Sequence, residues 1–238
     1  FSRDGGFAQL LAVPLAGEVH GSVQPLPDNL EMIEATLAEP LACCLNAQEK
    51  LGLKQSDRIL ILGGGPLGLL HAMAAETINP ELIILSDPGP ARRHAAWDLG
   101  VDATLDPTEG RFAEAIGSLT DDHGLDAVIL ACPEAAVDES LLSLMARGGR
   151  ISLFSGPDRS WATTQVSMSL MHYMELEISG AYGCRSQDNT KALEILSSMP
   201  HSFEGLIEKR IGFNELNQGL EAVFHRESLK TVLQVDHG

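Results

Sequence analysis

A chain of 238 residues, 44% hydrophobic and 21% charged, is long enough to bury one large core or two small ones and has the composition of a globular domain. Its 16 basic and 33 acidic side chains leave a formal charge of −17, which repels phosphate backbones and anionic lipid and argues against nucleic acid as a partner. No apolar run reaches bilayer-spanning length, which argues against a membrane protein. The four cysteines (Cys43, Cys44, Cys132 and Cys184) lack the paired spacing of a structural zinc site.

Thiols of this kind in an acidic chain suit a reducing cytoplasm. The opening residues, Phe1-Ser2-Arg3-Asp4-Gly5-Gly6, carry no initiator methionine and no signal-like stretch, and read as the middle of something longer. Residues 6–27 mix Phe7, Leu10, Leu11, Val13 and Val23 with Gly and Pro, as short strands and turns do. Asp28-Asn29-Leu30-Glu31 fits a capping box opening a helix, which Pro40 is expected to interrupt.

From Arg58 the pattern alternates. Strands are predicted at Ile59–Leu62, Leu82–Leu85, Ala103–Leu105, Asp126–Ala131, Arg150–Phe154 and Leu176–Ala181, several of them continuously apolar as strands buried on both faces should be. Helices are predicted between them: Leu69–Ile78 stopping before Pro80, Ala91–Leu99 ending at Gly100, and Glu134–Arg147 ending at Gly148-Gly149. This alternation implies right-handed crossovers and an α/β fold, a doubly wound, parallel, six-stranded Rossmann sheet. Beyond it, residues 187–198 read as a helix closed by Pro200. Leu216, Leu220, Val223 and Phe224 have the spacing of a buried helical face, and Lys230–Val235 reads as a strand.

The central motif is Ile59-Leu60-Ile61-Leu62-Gly63-Gly64-Gly65-Pro66-Leu67-Gly68, a G-x-G-x-x-G turn between a buried strand and a helix. Gly63 permits the tight turn, Gly65 lets the backbone approach a pyrophosphate, and Gly68 lets helix and strand pack closely. The helix N-terminus offers unpaired N–H groups and a positive dipole end to phosphates. Asp87 ends the second strand nineteen residues after Gly68, where a carboxylate can accept both hydroxyls of an adenine ribose and repel a 2′-phosphate; capping the following helix is the competing use. Arg92 could lie against the adenine or simply be solvated. His71, inside the helix after the turn, reads as packing, while His20, His94, His123, His201, His225 and His237 show no metal or triad spacing. Phe154-Ser155-Gly156 contains no nucleophile elbow, and no catalytic residue can be singled out.

Taken in order, these segments resemble the zinc-dependent medium-chain dehydrogenase/reductase family, particularly its sorbitol- and threonine-dehydrogenase-like branch. Asp4-Gly5-Gly6-Phe7-Ala8-Gln9 is similar to the family's last barrel strands, and Glu39-Pro40-Leu41-Ala42-Cys43 to the segment leading into its coenzyme domain. The resemblance implies an NAD-dependent oxidoreductase acting on a secondary alcohol or polyol, assembled as a homodimer or homotetramer. It implies cofactor roles for Gly63, Gly65, Leu67 (behind the nicotinamide), Gly68, Asp87 and Arg92. Ser155 and Tyr182 would lie at the carboxamide, and Lys230 near the pyrophosphate. Zinc polarises the alcohol in this family, and Glu39 alone matches a position in or near the metal sphere; Asn46 stands where a histidine is commoner. On this reading residues 1–45 are the end of a GroES-like β-barrel catalytic domain lacking its N-terminal part, 46–184 the NAD-binding domain, and 185–238 a segment returning to the catalytic domain. The chain would then bind NAD yet lack most zinc ligands.

Three alternatives compete. A zinc-free quinone-reductase-like member of the same superfamily usually takes NADPH, and Asp87 and the Glu39–Cys43 segment count against it. A non-catalytic NAD-binding module would retain the Rossmann core without polyol turnover. A Rossmann-like methyltransferase fits poorly with six parallel-type strands and the returning tail.

Overall fold

The computed structural model describes residues 5–13, 23–156, 163–199 and 204–235. These divide into two compact units, Pro40–Arg185 and a second made of Phe1–Glu39 with Ser186–Gly238. Asp4, His20, His201 and His237 lie outside the described residues.

The larger unit is built on six parallel strands: β1 (Arg58–Leu62), β2 (Leu82–Ser86), β3 (Ala103–Leu105), β4 (Leu125–Leu130), β5 (Met145–Leu153) and β6 (Glu177–Gly180). Their spatial order is β3-β2-β1-β4-β5-β6, so the chain runs outward from β1 to one edge, then returns beside β1 and runs outward to the other. That is the doubly wound order, with its switch point between β1 and β4. Register puts Leu60 beside Ile84 and Val128, and Val128 beside Ile151, so these four share one face of the sheet. They form a core with Ile116, Leu141 and Leu142. Ile59, Ile61, Ile83, Leu85 and Ile129 point to the other face and are equally buried, each contributing about 1.5–3 kcal/mol. Burial on both faces explains why these strands lack polar alternation.

Helices α3 (Pro66–Glu76), α4 (Pro90–Asp98), α5 (Phe112–Leu119), α6 (Glu139–Leu142) and α7 (Met168–Tyr173) connect the strands. Both α3 and α4 begin on a proline, whose fixed φ suits the first helical position and whose missing N–H removes no helical bond. The long helix expected over Glu134–Arg147 is a correction. Only the four residues of α6 are helical, capped by Asp138 through Leu141 N, and Met145 already belongs to β5. Leu125 pairs with Met145 but Ala127 pairs with Arg150, so residues 146–149 bulge from the ladder, with Gly148 at φ +75°. The run of Leu and Met over 141–145 suited either period, and pairing with β4 decided it.

Helix α2 (Ala38–Leu51) holds a second correction, because Pro40 does not interrupt it. Proline sits in the first turn, where its absent N–H would have no intrahelical partner. At the other end, Arg150 Nη1 donates to the carbonyls of Leu51 (3.0 Å) and Gly52 (2.6 Å), while its Nη2 bonds Asp57 at 2.7 Å. The end of α2, the residue before β1 and strand β5 are thereby tied together by one half-buried guanidinium.

In the smaller unit, α1 (Met32–Ala35) starts one turn later than expected: Glu34 accepts from Glu31 N at 3.4 Å, so the reciprocal cap is Glu31/Glu34 rather than Asp28/Glu31. Helix α8 (Ser186–Ser198) is held to the segment before α1 by Asn29, which donates to Ser197 O at 2.8 Å. Strands β7 (Lys209–Ile211) and β8 (Thr231–Leu233) pair in parallel, with α9 (Leu216–Phe224) crossing between them. The helix forms where expected, but the face it buries is Gly219 and Ala222. Leu220, Val223 and Phe224 are exposed, as are Phe7, Leu10, Leu11, Val13 and Val23, and the short strands expected over residues 6–27 do not form among the described residues 6–13 and 23–27. Apolar spacing located the helix; the side it hides is the one whose small residues allow Ile211 to approach Gly219.

Candidate functional site

The sheet's ladder continues a residue or two past five of the six strands at the carboxyl edge. Asp87 N donates to Leu105 O, Gly63 N to Ser86 O, Ala131 N to Leu62 O, Ser155 N to Leu130 O and Ala181 N to Leu153 O, all between 2.8 and 3.1 Å. Gly63, Asp87 and Ser155 therefore stand in one row across the switch point, with Tyr182 following directly after Ala181. This is the crevice where open α/β sheets bind ligands.

Each glycine of the turn answers a different constraint. Gly63 has φ +109°, and a Cβ there would lie 2.8 Å from Cys132 Cβ. At Gly68 a Cβ would collide with the carbonyl of Gly63, so α3 can cross β1 this closely only on a glycine. At Gly65, the residue before α3, a Cβ would meet no protein atom within 4 Å. The space before it is open, as required for a ligand to approach the backbone. Sequence reasoning missed Gly64, whose Cβ would crowd Asp87 (3.0 Å) and Arg92 (3.1 Å). The motif's first x position had carried no signal of that closeness.

Asp87 is buried, and its carboxylate is already organised: Oδ2 accepts from Gly64 N at 2.8 Å and Oδ1 from Gly89 N at 2.7 Å. Oδ1 keeps a further acceptor site, whereas Oδ2 is also approached by Arg92. The Gly89 bond stiffens the turn into α4, but Asp87 does not cap that helix: Gly89 is its N-cap and no side chain caps it. Arg92 Nη1 lies 3.4 Å from Asp87 Oδ2, and Arg93, not anticipated, bonds Asp87 O at 2.6 Å and Asp106 at 2.9 Å. Arg93 thus fixes the β2 and β3 ends relative to each other, a role visible only once the strands are paired.

Behind the row, His71 is fully buried edge-on to Phe154, their centroids 4.3 Å apart. Gln48 Nε2 lies 3.3 Å from His71 Nδ1 and donates to His71 O at 2.8 Å. Burial in apolar surroundings lowers the imidazole pKa to about 3, so the ring is neutral and packs, as its sequence position suggested. Leu67 is partly exposed in the first turn of α3, and Tyr182 is almost wholly exposed at 99%. The amides of Ser155 and Ala181 are engaged in the ladder. Asn46 Nδ2 donates to Gly183 O at 2.8 Å, which gives that departure from the family pattern a structural role. His94, His123 and His225 are exposed.

Glu39 and Lys230 belong to the smaller unit. Lys230 precedes β8 and is half-buried; burial pushes its ammonium pKa down, and the Glu39 carboxylate opposes that shift. Glu39 itself is exposed in the first turn of α2.

A model of the zinc-binding dehydrogenase family matches residues 66–198, more than half of the sequence. The chain belongs to the zinc-binding dehydrogenase family. It is 24% identical over 232 residues to an L-threonine 3-dehydrogenase of Mesorhizobium japonicum, covering 98% of this chain and 65% of that relative. It is 26% identical over 236 residues to a sorbitol dehydrogenase of Halalkalibacterium halodurans, covering 97% and 66%. A zinc-binding dehydrogenase from Sinorhizobium meliloti, solved bound to NADP, superposes with a TM-score of 0.78 at 25% identity, covering 87% of this chain and 61% of that one. The chain therefore spans just under two thirds of the curated relatives it matches. Among the described residues, no helix is long and apolar enough to cross a membrane.

Proposed function

We propose that this chain is the coenzyme-binding part of an NAD-dependent alcohol or polyol dehydrogenase, in which hydride passes between a secondary alcohol and the nicotinamide. The observation that carries the reading is the open space before Gly65, flanked by a buried carboxylate at Asp87 and the amino end of α3. The glycine turn and helix dipole would take the pyrophosphate, and Asp87 the adenine ribose. Leu67 would back the nicotinamide, with Ser155 and Tyr182 at its carboxamide and Arg92 beside the adenine. Lys230 keeps the role the family resemblance gives it, near the pyrophosphate. A dinucleotide of this kind accepts hydride at its nicotinamide when bound. The chain's own contribution is to hold it across the switch point in one orientation.

NAD is the finer choice within the nicotinamide cofactors. The Sinorhizobium neighbour was solved bound to NADP, whereas a buried carboxylate at Asp87 disfavours a 2′-phosphate by like-charge repulsion. Zinc is proposed for the whole protein, with Glu39 in or near its sphere. A catalytic zinc takes three protein ligands, so Glu39 alone does not hold one, and no step is assigned to the metal. Cytoplasmic location and a homodimer or homotetramer complete the reading.

Titrating the purified chain with NADH, and separately assaying NAD+ reduction by sorbitol and by threonine with and without added zinc, tests it. Saturable binding without turnover is expected. Absence of binding contradicts the cofactor assignment, and turnover by this chain contradicts the reading of it as the coenzyme-binding part alone.

A further inference from the structure

We propose that Cys43 and Cys184 form a reversible dithiol–disulfide pair that fastens the segment after β6 to helix α2. The two residues are 141 apart in sequence, yet their sulfurs lie within 4.8 Å of each other inside the larger unit. Neither is in a disulfide, and both are half-buried rather than sealed in the core. A disulfide needs its sulfurs about 2.05 Å apart, so the pair must close from its present separation.

The backbone around the pair is held in place from both sides. One residue before Cys184, the Gly183 carbonyl accepts from Asn46 of α2 at 2.8 Å. One residue after it, Arg185 bonds Glu49 of α2 at 2.8 Å. Cys43, Asn46 and Lys50 recur at helical spacing, so the α2 face that meets this segment is the one bearing Cys43. An open cavity of about 330 Å³, lined by Asn46, Glu49, Lys50, Tyr182, Cys184 and Arg185, gives a small oxidant access to Cys184. The other two cysteines are placed differently. Cys44 is buried with its sulfur 3.7 Å from Leu67 O, and Cys132 lies under the Gly63 turn, where burial pushes its thiol pKa up.

The oxidant is a peroxide. The Cys184 sulfur attacks one peroxide oxygen; an S–O bond forms, the O–O bond breaks, and water leaves with the thiol proton, giving a sulfenic acid. The Cys43 sulfur then attacks that sulfur; the S–S bond forms, the S–O bond breaks, and hydroxide leaves as a second water with the Cys43 proton. Two thiols lose two electrons, and one peroxide becomes two waters. A dithiol reagent reverses the change by thiol–disulfide exchange. In a reducing compartment such a bond is transient, the mode of a redox sensor rather than of a structural staple.

The test exposes the purified 238-residue chain to hydrogen peroxide, quenches it, and counts alkylatable thiols by mass spectrometry after denaturation. The count is expected to fall from four to two, the mass by two hydrogens, and dithiothreitol to restore both. Because the count is taken unfolded, it can be read for every variant. Cys43→Ser and Cys184→Ser are each expected to abolish the cross-link, while Cys44→Ser and Cys132→Ser keep it. A wild-type chain that retains four thiols, a cross-link that survives Cys43→Ser, or oxidation of Cys184 to sulfinic acid without a cross-link overturns the proposal. None of these readouts depends on whether the chain binds NAD.

Discussion

Lowering the pH from 7 to 5 should destabilise this protein through one buried side chain, His71. In the folded state its pKa is about 3, because full burial beside Phe154 disfavours the charged ring, and Gln48 supplies a hydrogen bond to neutral Nδ1. In the unfolded chain it returns to the ordinary 6.5. Between those values the unfolded state carries a proton that the folded state lacks, so stability falls as pH falls. The slope is about 1.4 kcal/mol per pH unit. At pH 5 the loss relative to neutral pH is then about 2 kcal/mol, which lowers the melting temperature of a chain this size by roughly 4–8 °C. The carboxylates of Asp106, Asp138 and Glu175 have pKa values lowered by their hydrogen bonds. Their stabilisation is lost only as pH drops below the ordinary carboxylate range, outside this window. Urea unfolding of the wild type and of His71→Leu at pH 7.5, 6 and 5 separates the effects, since the variant keeps every carboxylate and removes the imidazole. The variant should show a flat profile where the wild type slopes. Equal slopes in the two proteins would refute the reasoning.

The glycine turn supplies a contrast: Gly68→Ala should destabilise the fold by about 1–3 kcal/mol, because its Cβ meets the Gly63 carbonyl. Gly65→Ala, whose Cβ meets no protein atom, should leave stability within about 1 kcal/mol while weakening cofactor binding. Thermal melts with NADH titrations check both. Arg150→Met should cost about 3 kcal/mol in denaturant unfolding, because Asp57 stays buried without the guanidinium that bonds it at 2.7 Å. Strand β6 ends the sheet with an edge open to pairing, so light scattering at micromolar concentration should report at least a dimer, and a clean monomer would contradict that.

The sheet was legible in the sequence because its strands are buried on both faces, leaving uninterrupted apolar runs such as Ile59–Leu62 that few other structures produce. The Gly63–Gly68 turn and Asp87 were legible for a related reason, since each residue type there meets a local constraint fixed by spacing along the chain. Elements decided by distant pairing were not. Residues 141–147 carry a helical pattern, and only the approach of β4 makes Met145 a strand residue. Helix α2 runs through Pro40 because the proline falls in its first turn, a matter of where the helix begins. Arg93, Arg150 and Gly64 escaped notice because their partners, Asp106, Asp57 and Asp87, are neighbours only in the folded chain.

The central claim, that Gly63–Gly68 and Asp87 form an NAD site, is tested most directly by titrating NADH and NADPH against the wild type and Asp87→Asn. A lost bidentate acceptor with added repulsion amounts to about 1–3 kcal/mol, so the wild type should prefer NADH by roughly 5- to 150-fold. Asparagine should narrow that ratio by weakening NADH and relieving NADPH. Equal or tighter NADPH binding by the wild type, with Arg92 then reading the 2′-phosphate, would contradict the account.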